Sequence, residues 1–504
     1  MPNITLSMII KNEERYLEGC LESVKDFVDE IVIVDTGSTD KSLIIAEKYN
    51  AKILWFNWIN DFSAARNFAL KNSKGNYILY LDADERISEE SIDEIKKLTA
   101  KTNLAGFKCM VESPSEASGG LNVMKYVRLF ANHNAIKFTG KVHEQIENSL
   151  IENKYSILES GIKIIHLGYN VSEDELKIKA KRNLSLLLND YEKLPTSYVA
   201  FQIGQTYVML NELYKSEKYF LYAVERKNIS KEQTAHCYRY LAAIESNLKN
   251  DLDKAIVYLK EGLKISHKQP LLNVIAANVY LRKNDFNNAE SFARKAYEFN
   301  LELSDSKSSE FEITIKNKDL LNHILNIAML SCNVYLFNDF YNKSKHEINE
   351  KSRTNLLKIY YCVFNNIDVE ENLYNEITKI ISQEFIPSFL FSLSNYKNIN
   401  IRTQILEQLK IKYPEEIKIL GLLGHSYLEL NEKQKSYENY ENAFNINQND
   451  PALLFTLISL SAEVDDTAKL IKYLKIAEIN FNDNPAVLEK INNIKSKIES
   501  VQNF

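Results

Sequence analysis

Tyr77-Ile78-Leu79-Tyr80-Leu81-Asp82-Ala83-Asp84-Glu85 is the stretch on which the fold turns. Its first five residues form a continuous apolar run, the pattern of a buried strand. The run ends in two carboxylates that flank one small residue. Upstream, Ile4–Ile10, Glu30–Val34 and Lys52–Trp55 also read as strands. Between them Glu13–Val24, Asp40–Tyr49 and Ser63–Lys71 carry apolar residues at helical spacing. Ser38-Thr39 are natural N-cap residues for the second helix, and Gly75 is a natural stop for the third. Strand–helix–strand alternation implies right-handed crossovers and a parallel central sheet. Ligands in such sheets bind beyond the carboxyl ends of the strands, where both Asp35 and Asp82 stand.

Downstream the pattern changes. Leu104–Val111, Met124–Phe130 and Ile162–His166 read as further strands. Ser113–Leu121, with Pro114, Gly119 and Gly120, reads as a mobile loop. After Tyr169 the chain is helical throughout. Glycine shows the same division: nine of the 13 lie ahead of Tyr169. The rear resembles tetratricopeptide repeats, paired helices recurring about every 34 residues. Gly204, Tyr207, Phe220 and Ala223 fit one unit, and Ala243, Ala255 and Leu259 a second. Ala277, Tyr280, Ala289, Ala293 and Ala296 fit a third, with Ala277 one repeat length beyond Ala243. Gly424, Tyr427, Tyr440 and Ala443 fit another that ends at Pro451, and Pro485 closes the next, again one repeat length on. The expected organisation is a catalytic domain over 1–170, repeats over 171–300, an irregular helical region over 301–416 and repeats over 417–504. The rear aromatics Tyr219, Tyr222, Tyr258 and Tyr297 sit at repeat spacing and read as core between helices.

Bulk properties narrow the function classes. A chain of 504 residues buries a core without staples. Its formal net charge of −6 is not that of a nucleic-acid binder. No apolar run is long enough to span a membrane, and the N-terminus lacks the basic flank of a signal peptide. Five scattered cysteines, with no Cys-x-x-Cys pair, imply neither a zinc ribbon nor a disulfide framework; free thiols fit a reducing cytoplasm.

Asp82 and Asp84 supply hard oxygens suited to Mg²⁺ or Mn²⁺, and such a cation can bridge a diphosphate. Asp35 can accept a hydrogen bond from a uracil imide. Arg66 offers a planar fork for phosphate. Arg128 interrupts an apolar strand, reaching either the diphosphate or the acceptor, or else pairing with a nearby acid. Trp55 and Trp58 flank a loop beside Arg66; packing against the sheet edge is the favoured reading over sugar or base stacking.

The order and spacing of Ile9-Ile10-Lys11-Asn12-Glu13-Glu14, Val34-Asp35-Thr36-Gly37-Ser38-Thr39-Asp40, Ala65-Arg66-Asn67 and Leu81-Asp82-Ala83-Asp84 resemble the family 2, GT-A-type nucleotide-sugar glycosyltransferases. The resemblance covers the stretch 1–170, the front third of the chain. It implies an α/β GT-A domain, Rossmann-like with a mostly parallel sheet, ahead of an all-α tetratricopeptide-like solenoid. It implies that Ile10, Asn12, Glu13, Asp35, Ser38, Arg66, Asp82, Ala83 and Arg128 hold the nucleotide sugar. Asp82, Asp84 and His166, the last in Ile165-His166-Leu167-Gly168-Tyr169, would hold Mn²⁺ or Mg²⁺. Gly140-Lys141-Val142-His143-Glu144 takes the place of the family's catalytic acid, with His143 where a second acid is usual. Glu144 is the first choice for the base and His143 its competitor, its pKa lying nearer neutrality.

The implied reaction is inverting transfer from a UDP-sugar, UDP-glucose or UDP-N-acetylglucosamine. The layout resembles bacterial glycocin-type peptide S-glycosyltransferases and related repeat-tailed protein glycosyltransferases. A peptide or protein acceptor on the repeats is therefore expected, modified at Cys or at Ser/Thr. A cell-surface polysaccharide or lipid-linked acceptor, with the repeats forming a homodimer, is the alternative. A non-catalytic scaffold is the third reading, against which intact Asp82, Asp84 and Glu144 count.

Overall fold

The computed structural model describes residues 4–100, 104–114, 121–168, 173–226, 228–305, 311–464 and 466–502. It divides by packing into two units, Met1–Leu320 and Leu321–Phe504.

A sheet of nine strands organises the first unit: β1 (Ile4–Ile10), β2 (Glu30–Asp35), β3 (Lys52–Trp55), β4 (Tyr77–Tyr80), β5 (Glu85–Ile87), β6 (Ala105–Pro114), β7 (Leu121–Ala131), β8 (Ser156–His166) and β9 (Phe311–Ile313). Their order is β3-β2-β1-β4-β7-β6-β8-β5, with β9 alongside β7. The front four strands are mutually parallel, as the alternation requires. They are joined through helices α1 (Leu17–Val24), α2 (Ser42–Lys48) and α3 (Phe62–Asn72). Leu6, Met8, Ile33 and Leu79 are fully buried, so apolar burial on both faces holds this half. Beyond β4 the direction mixes: β7 runs antiparallel to β4 and β6, and β8 runs parallel to β6. The carboxyl ends of β1 and β4 lie side by side at the point where the connections diverge to opposite sides, the place where such sheets bind ligands. The GT-A-like α/β architecture and the helical rear agree with the sequence reading.

Several local expectations change. The first helix starts at Leu17 rather than Glu13, because Asn12 takes a left-handed conformation (φ +57°) and turns the chain first. Ser38-Thr39 cap nothing: α2 starts at Ser42, and Ser38 Oγ instead accepts the Asn12 N–H at 3.0 Å. Gly75 does not stop α3, which ends at Asn72 with extended Ser73 as its C-cap; the Gly75 N–H donates to Thr5 Oγ1. Strand β5, three residues long, has no counterpart among the strands expected from sequence; it pairs antiparallel with β8 and positions Glu85. The loop read over Ser113–Leu121 falls largely on residues 115–120, and the expected boundary Tyr169 on 169–172, both outside the described residues.

Behind the sheet come α4 (Ile92–Thr99), α5 (Glu147–Glu152) and then the long helices α6 (Glu173–Lys193), α7 (Ser197–Met209) and α8 (Leu213–Arg226). Helix pairs Lys231–Asn247/Leu252–Ile265 and Pro270–Arg282/Phe286–Asp305 continue the first unit. Ile417–Glu429/Lys433–Ile446 and Pro451–Glu463/Thr467–Asn480 form the regular part of the second. The small residues lie where the repeat needs close approach. A Cβ on Gly204 would stand 2.6 Å from Phe220, and one on Gly424 2.8 Å from Tyr440. At the same offset beyond Gly204, Ala243, Ala277 and Gly424, residues Asn211, Asn250, Asn284 and Asn431 adopt positive φ between the two helices of a pair. Asparagine tolerates this conformation, so the rear turns its chain without glycine.

Candidate active site

A cavity of about 550 Å³ opens beyond the carboxyl ends of β1 and β4. Its floor is an ion network built by β4, α3 and β7. Arg66 Nη2 donates to Asp82 Oδ1 at 2.7 Å, and Arg66 Nε donates to Glu144. Arg128 Nη2 donates to Glu85 Oε1 at 2.6 Å and approaches Asp82 Oδ2 at 3.5 Å. Both guanidinium groups lie over the Tyr80 ring, at 5.0 and 4.5 Å, a cation–π arrangement that places them side by side. The two arginines overcome the effect of burial and hold Asp82 far below the usual carboxylate range. Burial pushes Glu85 up, against the pull of Arg128. The Nη1 of Arg66 is buried without a partner.

Asp84 and His166 form a second cluster. Pairing of β5 with β8 brings His166 Nε2 to 3.5 Å from Asp84 Oδ2, and the Leu167 N–H donates to the Asp84 carbonyl at 2.8 Å. His166 Nδ1 lies 3.1 Å from Ser113 Oγ, a contact of the kind that orients metal-binding imidazoles. A Cβ on Gly168 would overlap Asp84 Oδ2 and stand 2.8 Å from His166 Nε2, so glycine keeps this wedge open. One carboxylate and one imidazole facing a kept-open wedge fit a divalent cation. Asp82, expected as a third ligand, is committed to the two arginines. Among the described residues no cluster of three acidic, histidine or cysteine side chains gathers for a metal.

Other expected residues sort clearly. Ile10, Glu13 and Ala83 line the cavity. Burial, reinforced by Asp84, pushes the Glu13 carboxyl up to about 7. Asp35 does not face the cavity: it is fully buried and accepts the N–H groups of Gly37 (2.9 Å) and Ser38 (3.1 Å), holding its own turn at φ +110° for Gly37. Asn12 and Ser38 likewise brace one loop against the other, Asn12 Oδ1 accepting the Thr39 N–H at 2.7 Å. Arg128 takes the ion-pair role of the two considered for it. The tryptophans depart from sheet-edge packing: Trp55 is 66% exposed, while Trp58 forms cavity wall, edge-on to Phe62 at 4.7 Å.

His143 and Glu144 both reach the cavity. His143 sits at its surface with φ +53°, and the surrounding protein holds its imidazole below the usual range. This strained turn is fastened from behind. Gln145 Nε2 donates both to the His143 carbonyl (3.1 Å) and to Tyr198 Oη (2.9 Å) on α7. Lys141 pairs with Asp190 of α6 at 2.8 Å, and Val142 packs with Leu187, Ile203 and Tyr207. The helices behind the sheet therefore complete the site. Lys179 and Arg182 of α6 and Tyr198 and Gln202 of α7 line the same cavity. None of the four is singled out by sequence reasoning; only the close spacing of Lys179 and Arg182 hints at a shared helix face.

Comparison with known proteins places this geometry. The family described as glycosyl transferase family 2 matches residues 5–148, and a tetratricopeptide repeat matches 417–450. A tetratricopeptide-repeat-containing protein of Synechococcus elongatus is 30% identical over 281 residues, covering 53% of this chain and 68% of that one. The chain carries a glycosyltransferase family 2 domain. It is a glycosyltransferase with helical repeats behind the catalytic sheet. The SPbeta prophage-derived glycosyltransferase SunS of Bacillus subtilis is 33% identical over 187 residues, 37% of this chain and 44% of SunS, so the match spans less than half of that relative. Among solved structures, glucosyl-3-phosphoglycerate synthase from Mycobacterium tuberculosis with Mn²⁺ and UDP-glucose covers 37% of this glycosyltransferase and 78% of its own chain, at 15% identity and a TM-score of 0.26. S. aureus TarS with UDP-GlcNAc covers 57% and 90%, at 15% identity and a TM-score of 0.28.

Proposed function

We propose that this glycosyltransferase moves a sugar from a UDP-type donor to a side chain of a peptide or protein, with inversion at the anomeric carbon. The observation that carries the reading is the shared cavity: Asp82 and Asp84 beyond β4 and Glu144 on the 140–146 turn line it together with residues of helices α6 and α7. A cavity walled by repeat-like helices gives an extended acceptor a path to the reacting atoms. The acceptor's Cys sulfur or Ser/Thr oxygen attacks the anomeric carbon as the bond to the diphosphate oxygen breaks. The acceptor proton passes to a base and the nucleoside diphosphate leaves. Asp84 and His166 would hold Mn²⁺ or Mg²⁺, which supplies charge neutralisation at the departing diphosphate.

His143 and Glu144 are the two candidates for the base. We prefer His143, which lines the cavity and whose pKa is shifted down by desolvation, over Glu144, which is tied to Arg66. The five thiols of the chain are free, which suits a reducing cytoplasm. Among the described residues no helix is long and apolar enough to cross a membrane.

The test is mass spectrometry of Cys-, Ser- and Thr-containing peptides incubated with full-length protein, Mn²⁺ and UDP-glucose or UDP-N-acetylglucosamine. A hexose or N-acetylhexosamine mass increment on one residue type supports the reading. Donor turnover onto sugars or lipids, with none on peptides, would refute the acceptor class. His143→Gln should lower kcat more than Glu144→Gln; the reverse order returns the base to Glu144.

A further inference from the structure

We infer that Lys179 and Arg182 of α6 are the anion clamp of this cavity and grip the diphosphate of the nucleotide donor, an inference that rests on the donor chemistry proposed above. Both residues lie outside the region that matches the family, which ends at residue 148.

The cations of the cavity differ in how their charge is met. The two arginines of the floor are already neutralised, Arg66 by Asp82 and Glu144, and Arg128 by Glu85 and Asp82. Lys179 and Arg182 also line the cavity, at i and i+3 and so on one helix face. Among the described residues neither has a carboxylate within ion-pair distance. Among the described residues the Arg182 guanidinium meets the side-chain oxygen of its neighbour Asn183, at 3.1 and 3.2 Å, and the Phe62 ring at 5.4 Å. Arg182 reaches solvent with no acid beside it among the described residues, and arginine stays ionised. A cavity-lining cation without an ion-pair partner is available to an anion through charge-assisted hydrogen bonds.

Position then selects the anion. Lys179 and Arg182 line the same cavity as Asp84 and His166, the pair that would hold the metal. Arg182 rests on Phe62, the first residue of the helix that carries Arg66. A diphosphate between Asp84 and α6 would present its non-bridging oxygens to an ammonium and to a guanidinium fork, the two groups best suited to them. As the bond from the anomeric carbon to the diphosphate oxygen breaks, the electron pair stays on that oxygen. The clamp then faces more negative charge than in the ground state, so it favours departure. Donor binding thus belongs partly to the helices behind the sheet.

Calorimetric titration of full-length protein with UDP and with uridine, in Mn²⁺, tests this, with thermal denaturation as the folding control. Lys179→Ala and Arg182→Ala should each weaken UDP binding about tenfold or more, leave uridine binding unchanged, and make UDP affinity less salt-dependent. Lys179→Arg should stay near wild type. UDP affinity unchanged in both alanine variants, while wild type binds UDP, would overturn the clamp and leave the donor reading intact. A raised acceptor KM with unchanged UDP binding would also overturn it, assigning the two cations to the acceptor. A wild type that binds none of UDP, GDP or TDP would bring down the donor reading and the clamp with it.

Discussion

Gly168→Ala is the sharpest perturbation of the metal wedge. The added methyl would stand 3.0 Å from Asp84 Cγ and 2.8 Å from His166 Nε2, and it would overlap Asp84 Oδ2. Cβ contacts below 3.0 Å do not persist, so the carboxylate oxygen must retreat by at least about 1 Å. Gly168 has no left-handed φ, so alanine strains no backbone and the fold should persist. Misplacing a reacting group by ~1 Å costs about a hundredfold in rate, or about 2.7 kcal/mol. The assay is sugar transfer as a function of Mn²⁺ concentration, alongside thermal denaturation. We expect kcat/KM to fall about a hundredfold and Mn²⁺ half-saturation to rise, with Tm little changed. A variant with wild-type rate and wild-type Mn²⁺ dependence would refute the assignment of Asp84 and His166 as metal ligands.

Glu13 is a stability probe in metal-free protein. Its folded carboxyl titrates at about 7 against 4.5 for an unburied glutamate, so the folded state holds a proton that the unfolded state has lost between those values. Stability therefore falls as pH rises through that window. Glu13→Gln should leave Tm unchanged at pH 4 and raise it at pH 8, and an equal effect at both would contradict the burial argument. Gly204→Ala and Gly424→Ala drive a Cβ into Phe220 and Tyr440 and should each cost about 1–3 kcal/mol, read by urea denaturation. Gln145→Leu removes the link from the His143 carbonyl to Tyr198 and should lower kcat with donor KM held; a loss confined to KM would count against a positioning role.

The parallel half of the sheet is legible in the sequence because its strands are short apolar runs whose ends are set by charged or turn residues. Ile4–Ile10 and Lys52–Trp55 are readable to the residue. What the sequence hides are choices among partners. An aspartate at a strand end can serve a ligand or its own turn, and Asp35 serves its turn. An arginine on an apolar strand can meet phosphate or acid, and Arg128 meets Glu85. Strand β5 is hidden because three residues carry no usable period. Lys179, Arg182 and Tyr198 are invisible as site residues because they reach the cavity only through packing of α6 and α7 onto the 140–146 turn.

The pairing of β9 with β7 sets a schedule for synthesis. β4 covers β7 only at Leu129–Ala131, and Phe311–Ile313 covers its other end at Asn122–Met124. The ribosome delivers that last segment well after the rest of the sheet; at about 5–20 residues per second the delay from His166 is roughly 7–30 s. During that interval the nascent chain carries a bare strand edge, the kind of surface that recruits chaperones or neighbouring chains. A fragment cut shortly after β8 would keep that exposed edge for its whole lifetime, so a soluble minimal enzyme should extend through β9.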